Sequence, residues 1–372
     1  YCARIGPFRG QERRVKRLLK LLKWSVAGLV LLLIPLVAPI AYVELVCTGE
    51  GGGAPYQPLI TDPEFQRKEA NSYLTYPEWH IVYAYEGLAE KLKTGDEHAF
   101  DYFSSIAGFW RASCALNRVA NAHGGADQNT RQTNHVIGAS FTLEMGMKAL
   151  YEETVGRLFA LFRGAEKSPQ DVVSAKMADD YAKFLYQTPW YKYDFEAARK
   201  KLWDAPLTMP VRGWERRLAL GGEWSAKTAY AGMIANAVSA TGVAKLEIRS
   251  IVSGIDAATL QTIPNVQIIR EFDGKLEINT PRYAAFTEIL RAIAAQGGSI
   301  VEIAGNDEIM ITATAPYDAV VQLPEGSAQI AEVTRDGFDG RRYILSVQIA
   351  KLADTIRTLQ SGPLQLEHIY DY

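Results

Sequence analysis

The sequence predicts a single N-terminal transmembrane helix followed by an all-α bundle and an α+β domain of antiparallel sheet and helices. Three observations predict it. Residues 25–43 carry no charge and are rich in Leu, Val, Ile and Ala. From Thr61 to about Gly242 apolar residues recur at helical spacing behind helix-start signals. Near Ala244 the period changes to two, and turn pairs such as Asp273-Gly274 separate the runs. The expected segments are a basic cytoplasmic stretch 1–24, an anchor 25–46, a Gly-rich linker 47–60, the helical domain 61–242 and the α+β domain 243–372.

The uncharged run is about long enough to cross a hydrocarbon core at roughly 1.5 Å per residue. Trp24 and Tyr42 flank it at the depth that amphipathic rings prefer, and Pro35 and Pro39 are expected to kink it. Before it come Arg4, Arg9, Arg13, Arg14, Lys16, Arg17, Lys20 and Lys23; after it no Lys or Arg appears until Arg67. Positive residues stay inside, so the N-terminus is expected in the cytoplasm and the remainder outside, in the periplasm if the cell is Gram-negative. The anchor and the basic segment would then contact membrane lipids. A cleaved secretory signal is the rival, but the apolar core is long for one and no small-x-small cleavage site stands out. Thr48–Pro58, with Gly51, Gly52 and Gly53, reads as a flexible tether.

Three cysteines, Cys2, Cys47 and Cys114, make no disulfide framework. With Cys2 on the other side, Cys47–Cys114 is the one bridge the chain allows. Cys114 lies in an apolar helical run and is expected to be a free, buried small hydrophobe, with stability independent of disulfides.

Helices are expected near 62–72, 77–93, 97–121, 131–163, 169–186, 194–203 and 212–240. Thr61-Asp-Pro-Glu64 and Thr75-Tyr-Pro-Glu78 resemble capping boxes, and Ser168-Pro-Gln-Asp171 is a third start signal. Strands are expected over 245–253, 266–270, 275–279, 299–304, 308–313, 328–334, 343–348 and 364–370. Helices over 282–296 and 350–360 interrupt them. No repeat of short fixed period is found.

The formal net charge of −2 gives no reason to expect nucleic acid as a partner. No P-loop, dinucleotide fingerprint, H-E-x-x-H, C-x-x-C or G-x-S-x-G is present, so no cofactor is expected. The candidate ligand-binding residues are Arg111, Glu144, Lys148 and His80, with Tyr83 and Trp110 as neighbours. Glu144 and Lys148 share a face of helix 131–163 with Ile137, Phe141, Tyr151, Val155, Phe159 and Phe162. Arg111 is the one charge in an apolar stretch, so it is expected to meet Glu144. Glu78 reads as a capping acid and His80 as a surface or helix-contact histidine. His123 and His135 bracket a loop holding Asp127, at a spacing that fits no metal family. Glu302, Asn306, Asp307 and Glu308 read as solvated turn residues. Together these features point to an accessory subunit, more an interaction protein than an enzyme, that docks on a larger membrane protein complex. The alternative is an extracytoplasmic ligand-binding protein or enzyme with a charged pocket in the helical domain.

Overall fold

A computed structural model describes residues 8–49, 51, 56–241 and 246–372. Cys2, Arg4, Gly52, Gly53 and the change of period at Ala244 lie outside the described residues, as do the basic side chains up to Arg17. The chain is helical in its first part and built of antiparallel sheets with helices in its second.

Helix α1 (Phe8–Val46) contains Pro35 and Pro39. Trp24 and Tyr42 are exposed on it. No helix is long and apolar enough to cross a membrane among the described residues. The side chains at 26, 27, 29, 31 and 32, within the uncharged run, are not among those described.

The end of α1 meets helix α4 (Tyr102–Ala122), where Cys47 and Cys114 form a disulfide. This corrects the expectation of a free Cys114: the last turn of α1 places Cys47 against α4, and both cysteines are buried. The sequence separation of 67 makes the cross-link worth about 4 kcal/mol in the chain-entropy picture. Asn117 Nδ2 also donates to the Cys47 carbonyl at 2.9 Å. The tether is held at its far end too. Leu59 N and Ile60 N donate to the Glu302 carboxylate at 2.6 and 2.8 Å, and Tyr56 Oη donates to it at 2.9 Å. Glu302 is therefore fully buried under the tether, not a solvated turn residue as expected.

Helix α2 (Ala70–Leu74) is shorter than expected, with a 3-10 turn at Pro63–Phe65 before it. It runs almost directly into α3 (Tyr76–Thr94). Thr75 is helical and its hydroxyl turns back to the Ser72 carbonyl, so the expected capping box with Glu78 does not form. The box at Ser168 does form, opening α7 (Pro169–Leu185). Between α4 and α7 lie α5 (Gln128–Tyr151), a π-turn at Glu152–Gly156 and α6 (Arg157–Arg163). The π-turn shifts the helical phase by one residue. Val155 and Phe162 consequently face solvent instead of continuing the face that holds Glu144 and Lys148. Helices α8 (Phe195–Asp204) and α9 (Pro210–Thr241) complete this half. Its core gathers Tyr85, Leu88, Phe100, Phe109, Phe141, Met145, Tyr181, Leu202 and Trp224.

The second half is built of two consecutive units of one topology. Strand β1 (Glu247–Ser253), the short helix α10 (Ala257–Leu260), β2 (Gln267–Phe272), β3 (Lys275–Pro281), α11 (Ala284–Ala295) and β4 (Ser299–Ile303) form one unit. Strands β5 (Glu308–Ala315), β6 (Ser327–Thr334), β7 (Arg341–Gln348), α12 (Ile349–Ser361) and β8 (Gln365–Ile369) form the next. The sheet orders are β2-β3-β1-β4 and β6-β7-β5-β8, the same topology with the first strand inside. All pairs are antiparallel, and both units carry a register shift where the first strand meets the last. Gly274 and Gly340, Ile278 and Ile344, Arg291 and Arg357, Ile303 and Ile369 are related by one constant offset. The two units share a single core that includes Ile278, Phe286, Leu290, Leu345, Leu352 and Ile356. Helix α12 packs on β4 and on α11, and α11 packs on β8, so each unit covers part of the other.

The halves are joined by a third cluster. Tyr73, Tyr76, Trp79 and Tyr83 of α2–α3 pack with Met310, Val333, Ile344 and Tyr370.

Candidate functional site

The sequence-predicted residues do not converge. Arg111 is exposed, and its Nε donates at 3.3 Å to the Ala107 carbonyl of its own helix. The expected Arg111–Glu144 pair is absent because Arg111 projects from the outer side of α4. Glu144 instead meets Lys227 at 2.8 Å and accepts from the Tyr85 hydroxyl. Lys148 meets Glu223 at 2.7 Å. One turn further on, Glu152 meets Arg216 at 3.0 Å. Glu144 and Lys148 of α5 and Glu152 at the start of the π-turn are spaced i, i+4, i+8, and their partners descend α9 in the opposite direction. The result is a ladder of alternating charge between two antiparallel helices. Its signal in the sequence is Glu223 and Lys227, spaced i, i+4 on α9.

The ladder ends in a buried cluster. Arg216 also meets Glu97 at 3.3 Å and bonds Glu215. Arg212 holds Asp171 at 2.9 Å, Glu215 at 2.8 Å and Glu97 at 3.3 Å, while Arg163 joins Asp171 to Asp96 at 2.8 Å each. Burial raises the Asp171 carboxyl, but Arg212, Arg163 and Ser168 outweigh it and hold it at about 2. Burial dominates at Glu152 and pushes it up to about 7 against the pull of Arg216. A Cβ at Gly156 would lie 2.0 Å from Glu152 Oε2, so a side chain there would push that carboxylate from its place against Arg216. Asp96, Glu97 and Asp171 come close enough to share a cation, but the three arginines already supply the positive charge. The cluster is a structural knot.

His80 is a helix-contact histidine, one of the two roles expected of it, and not a surface one. It is buried between α3 and α4, with Nε2 3.0 Å from the Ser105 carbonyl and 3.7 Å from Asp336 Oδ2. Burial first, and Arg342 second, push its pKa down to about 3. Asp336 is lifted by burial to about 6 and accepts from Ser105 Oγ at 2.6 Å. The neutral ring bridges the two halves. Tyr83 is buried, and Trp110 lines only a water-sized cavity of about 30 Å³ beside Glu44 and His135.

What the sequence missed is a cluster at the junction of the halves. His123, the C-cap of α4, lies with Nε2 2.7 Å from Glu308 Oε2 and 4.0 Å from Glu69 Oε1. Its Nδ1 lies 2.8 Å from the Val119 carbonyl. Tyr73 Oη donates to Glu308 at 3.3 Å and is 3.0 Å from Ser346 Oγ. An open cleft of about 370 Å³ adjoins it, lined by Arg118, His123, Gln329, Ile330, Glu308 and Ser346. The companion His135 is elsewhere, 2.9 Å from Glu44 of α1, which Arg131 also meets at 3.3 Å.

A further surface stands out. Along α5 and α6 the outer side exposes Val136, Leu143, Met147, Leu150, Leu158, Leu161 and Phe162. Comparison of the chain with protein-family models, curated proteins and solved structures finds no match.

Proposed function

We propose that the protein is a membrane-anchored, extracytoplasmic accessory subunit that docks on a membrane protein complex through the outer side of α5–α6. The observation that carries the reading is the inversion of these helices: charges face inward along the ladder, and large apolar side chains face solvent. An apolar stripe of this length on the surface is a docking feature. It begins at Val136, next to the His135 that holds Glu44, so it extends from the point where the uncharged run ends. A partner lying in the same bilayer is therefore the occupant that fits. The sequence run 25–43, flanked by Trp24 and Tyr42 and preceded by the basic stretch, supports the anchor. The Cys47–Cys114 disulfide supports an oxidising compartment for the chain beyond the anchor.

The test is a photo-crosslinking side chain at Leu150 or Phe162 of the full-length protein in native membranes. It should give one adduct of discrete mass with a membrane protein. The same side chain at Val320, also strongly exposed but on the second half, should not. Adducts confined to lipid, or equal at Val320, would overturn the docking face.

A further inference from the structure

We infer that Glu69, His123 and Glu308 form a binding site for a divalent transition-metal cation of the zinc or manganese class. The three side chains come from separate places: just ahead of α2, the end of α4 and the start of β5. Their ligand atoms all lie within 4.8 Å of one another. Around a tetrahedral zinc the donors stand about 3.3 Å apart, with Zn–N and Zn–O near 2.0–2.1 Å. Closing the present spacing requires only that Glu69 swing inward and Glu308 back off slightly.

Three features separate this cluster from an ordinary patch of acids. The Val119 carbonyl accepts from Nδ1–H, which fixes the ring and leaves Nε2 aimed at both carboxylates; metal-binding histidines are oriented in this way. Tyr73 Oη donates to Glu308 and so steadies that carboxylate independently of the imidazole. The cleft at Ser346 and Gln329 gives the site an entrance and a position for a ligand from solution. One imidazole with two carboxylates favours zinc or manganese over magnesium and calcium, which take oxygen donors. A bound ion would also clamp the helical half to the sheet-bearing half, since Glu69 and His123 belong to the first and Glu308 to the second.

The experiment uses the full-length protein in mild detergent, stripped with a chelator and titrated with Zn²⁺ and with Mn²⁺ by calorimetry. One equivalent should bind, and His123→Ala should abolish it. Glu69→Gln is the deciding variant because it leaves the His123–Glu308 pair untouched. It should weaken binding by at least the roughly tenfold that even an outer partner of a metal ligand costs, whereas a metal bound elsewhere on the protein would leave the titration unchanged. His135→Ala, at a separate and equally accessible histidine–carboxylate contact, should bind as the parent does. Absence of saturable one-site binding, or equal affinity in Glu69→Gln, would overturn the site.

Discussion

His80 has Tyr76, Ser105, Asp336 and Arg342 around it, and its pKa lies near 3. An unfolded chain titrates the same ring near 6.5, so below that pH the unfolded state takes a proton that the folded state refuses. Stability should therefore fall as pH drops from 6.5 towards 3, by about 2 kcal/mol at pH 5 from this residue alone. Guanidinium midpoints should decline less over that range in His80→Gln than in the parent. Arg216 makes the complementary point. Its removal strands Glu152 in the interior and leaves Glu97 and Glu215 to Arg212 alone, and Arg216→Ala should cost about 3–5 kcal/mol. Arg111→Ala, which loses only a contact within its own helix, should stay within about 0.5 kcal/mol. The sequence marked Glu144 and Lys148 as charges in an apolar setting, and that much was legible. Their partners were not, because the pairing depends on how α5 and α9 align in space. Arg111 was misread for the same reason: one lone charge on a helix does not reveal which side is outermost.

At the scale of elements, the period-two runs and their Asp-Gly turns located the strands, and Ser168 and Asp171 located the start of α7. The π-turn left no comparable mark, since an inserted residue only shifts phase within an unbroken helical pattern. Gly87 shows what close packing asks of a helix. A Cβ there would lie 2.1 Å from the Asp336 carbonyl oxygen, so α3 touches the turn after β6 backbone to backbone. Gly87→Ala should destabilise by about 1–3 kcal/mol, read from denaturation midpoints. Gly146 on α5 has nothing within 4 Å of its would-be Cβ, and Gly146→Ala should stabilise by about 0.5–1 kcal/mol. The repeat of the β-β-β-α-β topology was hidden because its period is long and few residues coincide; the alignment of Arg291 with Arg357 emerges only once the sheets are matched.

For the molecule as a whole, the shared cluster of Trp79, Tyr83, Met310, Ile344 and Tyr370 argues for joint unfolding of the two halves. No tryptophan follows Trp224, so indole fluorescence reports the helical half while far-ultraviolet dichroism also reports the sheets. The two denaturation curves should coincide; separate midpoints would show that the halves melt independently. The tether is shorter in effect than its sequence implied, being fixed by Cys47 at one end and by Glu302 at the other.

The mutual cover of α11, α12, β4 and β8 has a consequence for any attempt to shorten the protein. A cut in the loop between Ile303 and Glu308 would yield two fragments that each lack a wall, not two miniature domains. Either fragment could regain a dry interior only by recruiting a second polypeptide, so truncation there converts an intramolecular closure into a concentration-dependent one.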